Sequence, residues 1–427
     1  MFGIMSNAHA QYLPEWAKGF GGDRQDKARA AAETPKGNII VTGEAIQRRT
    51  NMWVLKLDAE GNEIWGKVFE DSYFSKAYAI KYSSDDYIIT AGEYIKTRRN
   101  QDLNAFIMKA DSSGNPIWLK EYGELLEDGF RDLIITSENN YAAVGYSEGG
   151  DETQKRLWFV LTDSEGDIIT EVLFSDSEED FAHSIKESRD GNFIIGGYAV
   201  MNKKKMLRIM KINKEGEIIF DLPFMPGNIN EIHDLTELKD GSIYACGTYR
   251  VQPLTDYDDM LVKLSPEGDI LFKKFYGRHT WEESTSIIST FDDHLVMAGF
   301  EKSEDELTAN FKIRKTDTAG NEISLHTFKK ISLDYGEQII ETTDKGLLMT
   351  GSTYHNENGW DYAVLKYKNI NRTDAEFILP ERKIMTSSQP VIKVKICLNG
   401  FAPPKESLIF LNNEVLYTDI YNELAVS

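Results

Sequence analysis

Cysteine, positive charge and long apolar runs are all scarce in this chain. Its two cysteines, Cys246 and Cys397, cannot build a disulfide framework and read as small buried hydrophobes. No stretch approaches the roughly 18 consecutive apolar residues of a membrane-spanning helix. Lysine and arginine number 48 against 69 aspartates and glutamates, a net charge of −21. That balance excludes a nucleic-acid partner, because polyphosphate binding depends on clustered cations that displace counterions. The seven histidines show no His-Glu-x-x-His motif or other paired zinc spacing, so no metal and no cofactor are expected. Gly145-Tyr-Ser-Glu-Gly149 spells a nucleophile elbow, but that motif needs a strand-to-helix turn in an α/β sheet and partner Asp and His residues. Here it ends a strand pattern, so Ser147 is not expected to be catalytic, and no other catalytic motif is present. Asp176 to Asp180, Asp256 to Asp259 and Glu304 to Glu306 offer carboxylates of the kind calcium takes, but without the spaced ligand loop; they read as solvated acidic surface.

What the chain does contain is a period. Six turn glycines are each followed 31 residues later by a strand-end glycine: Gly61 and Gly92, Gly114 and Gly145, Gly166 and Gly197, Gly216 and Gly247, Gly268 and Gly299, Gly320 and Gly351. The interval from each strand-end glycine, starting with Gly43, to the next turn glycine varies from 18 to 22 residues. All length drift is therefore confined to one place in the unit. Each unit holds four strand-like segments, in the second unit Ala77 to Tyr82, Tyr87 to Glu93, Ala105 to Ala110 and Pro116 to Tyr122. The first and second are joined by tight-turn sequences such as Asp190-Gly191-Asn192, the third and fourth by Asp58-Ala-Glu-Gly61 and its equivalents, where a side-chain oxygen bonds backbone amides and glycine takes positive φ.

Four antiparallel strands repeated about every 51 residues predict an all-β fold, a seven-bladed β-propeller over residues 11–370. The seven strand-end glycines predict close backbone approach where the blades converge. Outer-strand aromatics Trp16, Trp65, Trp118, Phe220 and Phe272 predict packing between blades. The last unit supplies only three strands, around Gln338 to Thr343, Leu347 to Thr353 and Asp361 to Lys368. The orphan segment at Tyr12 to Phe20 has the register of a fourth strand and is expected to complete the last blade, removing the open edge. Residues 374–427 break the period and read as a short C-terminal β tail, with strands at Val391 to Ile396 and around an Asn-Asn turn within Ser407 to Tyr417. Ala8-His9-Ala10 before Gln11 matches a small-x-small signal cleavage site, making residues 1–10 a signal-peptide remnant and the chain exported.

Ile64-Trp-Gly-Lys-Val-Phe69, with Asp58-Ala-Glu-Gly61 before it and Tyr87-Ile-Ile-Thr-Ala-Gly92 after it, resembles a propeller repeat common in secreted and cell-envelope proteins of bacteria. The resemblance spans residues 12 to about 370 and implies fold and export far more than function. The same phrase is similar to the tryptophan-docking repeat of pyrroloquinoline quinone enzymes, a family with eight blades and usually a vicinal cysteine pair that this chain lacks. The tail resembles the opening of an immunoglobulin-like module.

Alternating strand direction places the second-to-third loops and the fourth-to-first connections on one face and the tight turns on the other. The variable loops carry Arg48, Arg49, Lys96, Arg98, Arg99, Lys203, Lys204 and Lys205, the candidate binding residues. The reading is a non-catalytic module that binds a protein or glycan through this face. Two alternatives stay open: an accessory or regulatory region of a larger secreted enzyme, such as a caspase-like peptidase with its catalytic domain outside this chain, and a propeller enzyme acting on polysaccharides.

Overall fold

The structure is a computed structural model that describes residues 3–4, 12–22, 25–46, 48–99, 102–123, 126–148, 154–225, 229–250, 257–277, 280–303, 308–328, 333–355 and 359–369, with tail strands at 376–378, 392–397, 408–411, 414–417 and 423–426. Seven four-stranded antiparallel sheets account for nearly all of it. From first to fourth strand, blade 1 is Asp26–Glu33, Ile39–Ile46, Thr50–Leu57, Glu63–Val68 and blade 2 is Phe74–Tyr82, Ile88–Ile95, Asn104–Ala110, Pro116–Tyr122. Blade 3 is Asp128–Ile135, Tyr141–Glu148, Lys155–Thr162, Ile168–Phe174 and blade 4 is Glu179–Glu187, Phe193–Met201, Lys204–Ile212, Ile218–Phe224. Blade 5 is Ile229–Glu237, Ile243–Arg250, Asp258–Leu264, Ile270–Tyr276 and blade 6 is Glu282–Ser289, Leu295–Lys302, Ala309–Thr316, Glu322–Phe328. Blade 7 takes Asp334–Glu341, Leu347–His355 and Gly359–Asn369, and its fourth strand is the N-terminal Tyr12–Phe20.

The chain divides into two compact units, one of Lys18–Thr343 with Leu348–Val364 and the other of Met1–Ala17, Asp344–Leu347 and Leu365–Ser427. In the first, the inner strands of consecutive blades pack side by side round a ring, and the strand of blade 7 meets that of blade 1. Closure repeats the bonds used elsewhere. Glu33 accepts from Thr343 N at 2.7 Å as Glu237 does from Arg189 N at 2.9 Å. Lys18 donates to Asn62 at 2.8 Å as Lys67 does to Asn115 at 2.7 Å. In the second unit, Leu408–Leu411 pairs with both Gly3–Ile4 and Glu414–Tyr417, while Ile392–Cys397 lies between Glu376–Ile378 and Glu423–Val426. The Ala8-His9-Ala10 pattern, Asp256 and Glu304 to Glu306 lie outside the described residues, as does the side chain of Cys397.

Packing follows from burying both faces of each small sheet. Between blades 3 and 4, Val144, Phe159 and Phe174 meet Ile185, Phe193 and Met210 in one cluster. Trp65, Trp118, Phe220 and Phe272 seat on the next blade's turn glycine: a Cβ at Gly114 would fall 2.6 Å from the Trp65 ring, and one at Gly268 would fall 2.7 Å from Phe220. Those glycines are thus required twice, by positive φ (75° and 94°) and by the ring above them.

The strand-end glycines do serve close backbone approach, at all seven positions within the blade and at Gly299 also toward Gly336 of the next blade. A Cβ at Gly43, Gly92, Gly145, Gly197, Gly247, Gly299 or Gly351 would overlap the carbonyl oxygen of an inner-strand residue of the same blade. At that carbonyl the inner strand carries a bulge: Phe130 pairs with Gly145 and Asp132 with Val144, leaving Arg131 as the extra residue. The same shift singles out Arg29, Tyr78, His183, His233 and Thr285 in blades 1, 2, 4, 5 and 6. Each lies 14 residues before its strand-end glycine, and Glu337 holds that place before Gly351.

Candidate functional site

Six bulge residues and Glu337, which holds the same place in the period, form a belt of unlike chemistry on the inner strands. Arg29 reaches Glu337 at 2.8 Å across the closure and Glu44 at 3.2 Å in its own blade. The Arg131 guanidinium lies 3.9 Å from the centre of the Tyr78 ring and pairs with Glu93 at 2.7 Å, while Tyr146 donates to the same carboxylate at 2.9 Å. Thr285 donates to the Gly336 carbonyl at 3.0 Å. A second tier follows one residue on: Asp132 and Asp234 accept from Ile185 N and Ile287 N of the next blade, and Gln338 accepts from Ala31 N at 2.7 Å. Lys186 sits among those carboxylates, 3.0 Å from Asp234, which hold it protonated against burial. Beyond this tier, on the turn face, is a cavity of about 440 Å³ bordered by Ala31, Glu33, Lys81, Ile134, Ile340 and Glu341.

On the loop-face side, blades 4 and 5 bring His183, Glu231 and His233 together, one ligand-type atom from each lying within 4.8 Å of the others. His183 Nε2 and Glu231 Oε1 are 2.5 Å apart, and Lys205 donates to Glu231 Oε2 at 2.6 Å. Phe181 and Tyr198 flank the His183 ring at centroid distances of 4.7 and 5.9 Å. The His183 and His233 rings meet edge-on at 5.6 Å. Burial pulls the His183 imidazole below its ordinary range, against the opposing pull of Glu231. Burial also opposes ionisation of Glu231, but the His183 hydrogen bond and neighbouring cations, Lys205 among them, hold its carboxyl well below the usual range.

The basic residues expected to form the binding face divide into two sets. Arg48 and Arg49 of blade 1 and Lys96, Arg98 and Arg99 of blade 2 are exposed in second-to-third loops of adjacent blades. Arg49 lies over the Tyr73 ring at 5.4 Å, and Lys96 pairs with Glu121 at 3.1 Å. Blade 4 differs from its sequence reading: only Asn202 and Lys203, both at positive φ, form the connection there, and Lys204 already belongs to the third strand. Lys205 therefore turns from a loop cation into an inner one, 3.6 Å from the centre of the Tyr198 ring and bonded to Glu231. Ser147 is an ordinary buried strand residue paired with Arg156 and Asp128.

Among the described residues, carboxylates of two acidic segments have structural uses. Asp176 and Asp180 neutralise the buried Arg208 at 2.9 and 2.7 Å. Asp259 does the same for Lys312 and Arg314 in blade 6. Sequence reasoning missed the His183 cluster because it looked for ligands close in sequence. The available signal was repeat register, since both histidines stand 14 residues before a strand-end glycine.

No protein-family model matches the chain, and no curated protein does at the level of sequence. Solved structures do match. A protein of unknown function from Dyadobacter fermentans is 8% identical, with a TM-score of 0.51 over 84% of this chain and 100% of that one. An ulvan lyase, described as a new family of polysaccharide lyase, is 8% identical, with a TM-score of 0.55 over 81% of this chain and 95% of that one. A puromycin hydrolase is 11% identical, with a TM-score of 0.54 over 88% of this chain and 59% of that one. The likeness is one of fold. The same propeller frame thus occurs in two chains named as enzymes, and such a frame also suits a binding or scaffold module.

Proposed function

We propose that this chain is an exported, non-catalytic binding module that recognises an anionic protein or glycan through its loop face. The observation that carries this reading is the inequality of the two faces. On one, turn after turn is closed by the same bonds, such as Asp58, Asp111 and Asp317 each accepting from the amide four residues on at 2.7 to 2.8 Å. On the other, the connections range from two residues at 202–203 to eight at 96–103, and they carry exposed Arg48, Arg98 and Arg99 on adjacent blades. A rigid frame with one adjustable face is how repeat scaffolds present binding loops. Guanidinium groups suit carboxylate, sulfate or phosphate partners because their donors form a planar fork. Export is proposed on the Ala8-His9-Ala10 pattern and the resemblance of the repeat to cell-envelope propellers.

Reversing the charge at Arg48, Arg98 and Arg99 to glutamate is expected to weaken capture of the partner from a source-cell extract by roughly tenfold or more. Arg49 is spared because it stacks on Tyr73. Unfolding of the variant should match the parent. Unchanged capture by a folded variant removes this face as the contact surface.

A further inference from the structure

We propose that His183, Glu231 and His233 form a site for one divalent first-row transition-metal ion on the inner strands of blades 4 and 5. The inference is independent of the binding role assigned to the loops. It stands on the donor set: two imidazoles and one carboxylate with ligand-type atoms mutually within 4.8 Å. Tetrahedral ligands at about 2.1 Å from zinc stand roughly 3.4 Å from one another, so the cluster needs only a modest contraction on one side and release of the His183–Glu231 hydrogen bond on the other. Two nitrogens with one oxygen suit zinc, cobalt, iron or manganese, whereas magnesium and calcium take oxygen ligands.

The surroundings orient the ligands as metal sites require. Phe181 and Tyr198 hold the plane of the His183 ring, and Phe181 itself stacks on Tyr146 at 5.0 Å. His233 hydrogen-bonds with Thr248 at 2.8 Å and lies 3.5 Å from Glu283, contacts that fix its ring. Lys205 occupies the second oxygen of Glu231 and leaves the first toward His183. The backbone contributes as well, because both histidines are bulge residues whose side chains the register shift directs away from the blade interior. Each of the three side chains is about one-fifth exposed, 21%, 20% and 17% for His183, Glu231 and His233, so an ion can enter without unfolding the blade.

The test is titration of the metal-free, full-length protein with zinc and cobalt, read by calorimetry and, for cobalt, by visible absorption. One zinc per chain is expected, together with a cobalt spectrum of nitrogen and oxygen coordination. Magnesium or calcium at the same concentration should give no binding. His183→Gln, His233→Gln and Glu231→Gln should each abolish the cobalt band, while Lys205→Met should tighten zinc binding by removing a competing cation from Glu231. Matching circular dichroism of parent and variants separates lost binding from lost fold. Should a variant fail to fold, protection of His183 and His233 from histidine-directed modification by zinc in the parent chain decides the question. Absence of one-to-one zinc binding overturns the proposal, as does equal binding by a folded His183→Gln variant.

Discussion

Replacing Gly145 with alanine is expected to destabilise the ring by about 3 kcal/mol, the upper range for overpacking a well-packed interior. The added methyl would overlap the Gly129 carbonyl oxygen and lie 2.9 Å from Phe130 Cα, both backbone atoms that no side-chain rotation can clear. Gly191→Ala is the comparison. It sits in a turn at φ 80°, with nothing within 4 Å of the added carbon, so only the left-handed conformation is strained, at roughly 1–2 kcal/mol. Denaturant unfolding should therefore rank Gly145→Ala well below Gly191→Ala in stability. The Gly145 variant should also disturb the contact of Arg131 with Glu93, because relieving the overlap moves the bulge that aims Arg131. Equal costs at the two sites would show that the bulge is not what the glycine serves.

Asp259→Ala should cost about 3–5 kcal/mol, the range for removing one partner from a buried ion pair. Asp259, Glu282 and Lys312 are fully buried and Arg314 is almost so. Lys312 contacts Asp259 and lies 3.5 Å from Glu282; Arg314 bonds Asp259 at 3.3 Å and Glu282 at 2.6 Å, and also reaches Glu322. Burial pushes the Glu282 carboxyl upward, and the two cations oppose that push. Removing Asp259 leaves the buried Lys312 with Glu282 at 3.5 Å as its remaining carboxylate, while Arg314 keeps Glu282 and Glu322. Adding Lys312→Met should restore much of the loss, since it removes the buried cation left without its close partner and the aliphatic chain still fills the space. A double-mutant cycle checks this: strong coupling is expected, and simple additivity would mean the ions do not interact as placed.

The repeat makes most of the architecture legible in the sequence. Glycine pairs 31 residues apart mark turn and strand end, and the missing fourth strand of the last unit matches the surplus strand at Tyr12–Phe20. Turn chemistry was equally direct, because Asp58 and its equivalents use local bonds that need no tertiary context. The inner belt was not legible. Its members are Arg29, Tyr78, Arg131, His183, His233, Thr285 and Glu337, too varied to register as a conserved column in the period. Their shared position is marked in the sequence by spacing alone, 14 residues before each strand-end glycine, and the bulge shows what that spacing does. Lys205 shows the same limit on a smaller scale: its place in a run of three lysines suggested a loop, but a two-residue turn at Asn202 and Lys203 moves it into a strand and onto Glu231.

A closed ring with a continuous inner belt presupposes that the strand at Tyr12–Phe20 completes blade 7. Lys18 and Asn62 should therefore be as close as Lys67 and Asn115, the same pair of positions one blade further on. The direct measurement places cysteines at each pair in a chain with Cys397→Ser, Cys246 being buried, and compares coupling by a short bismaleimide. Equal intramolecular coupling of the two pairs is the expected result. Efficient coupling at 67 and 115 with none at 18 and 62 would contradict closure.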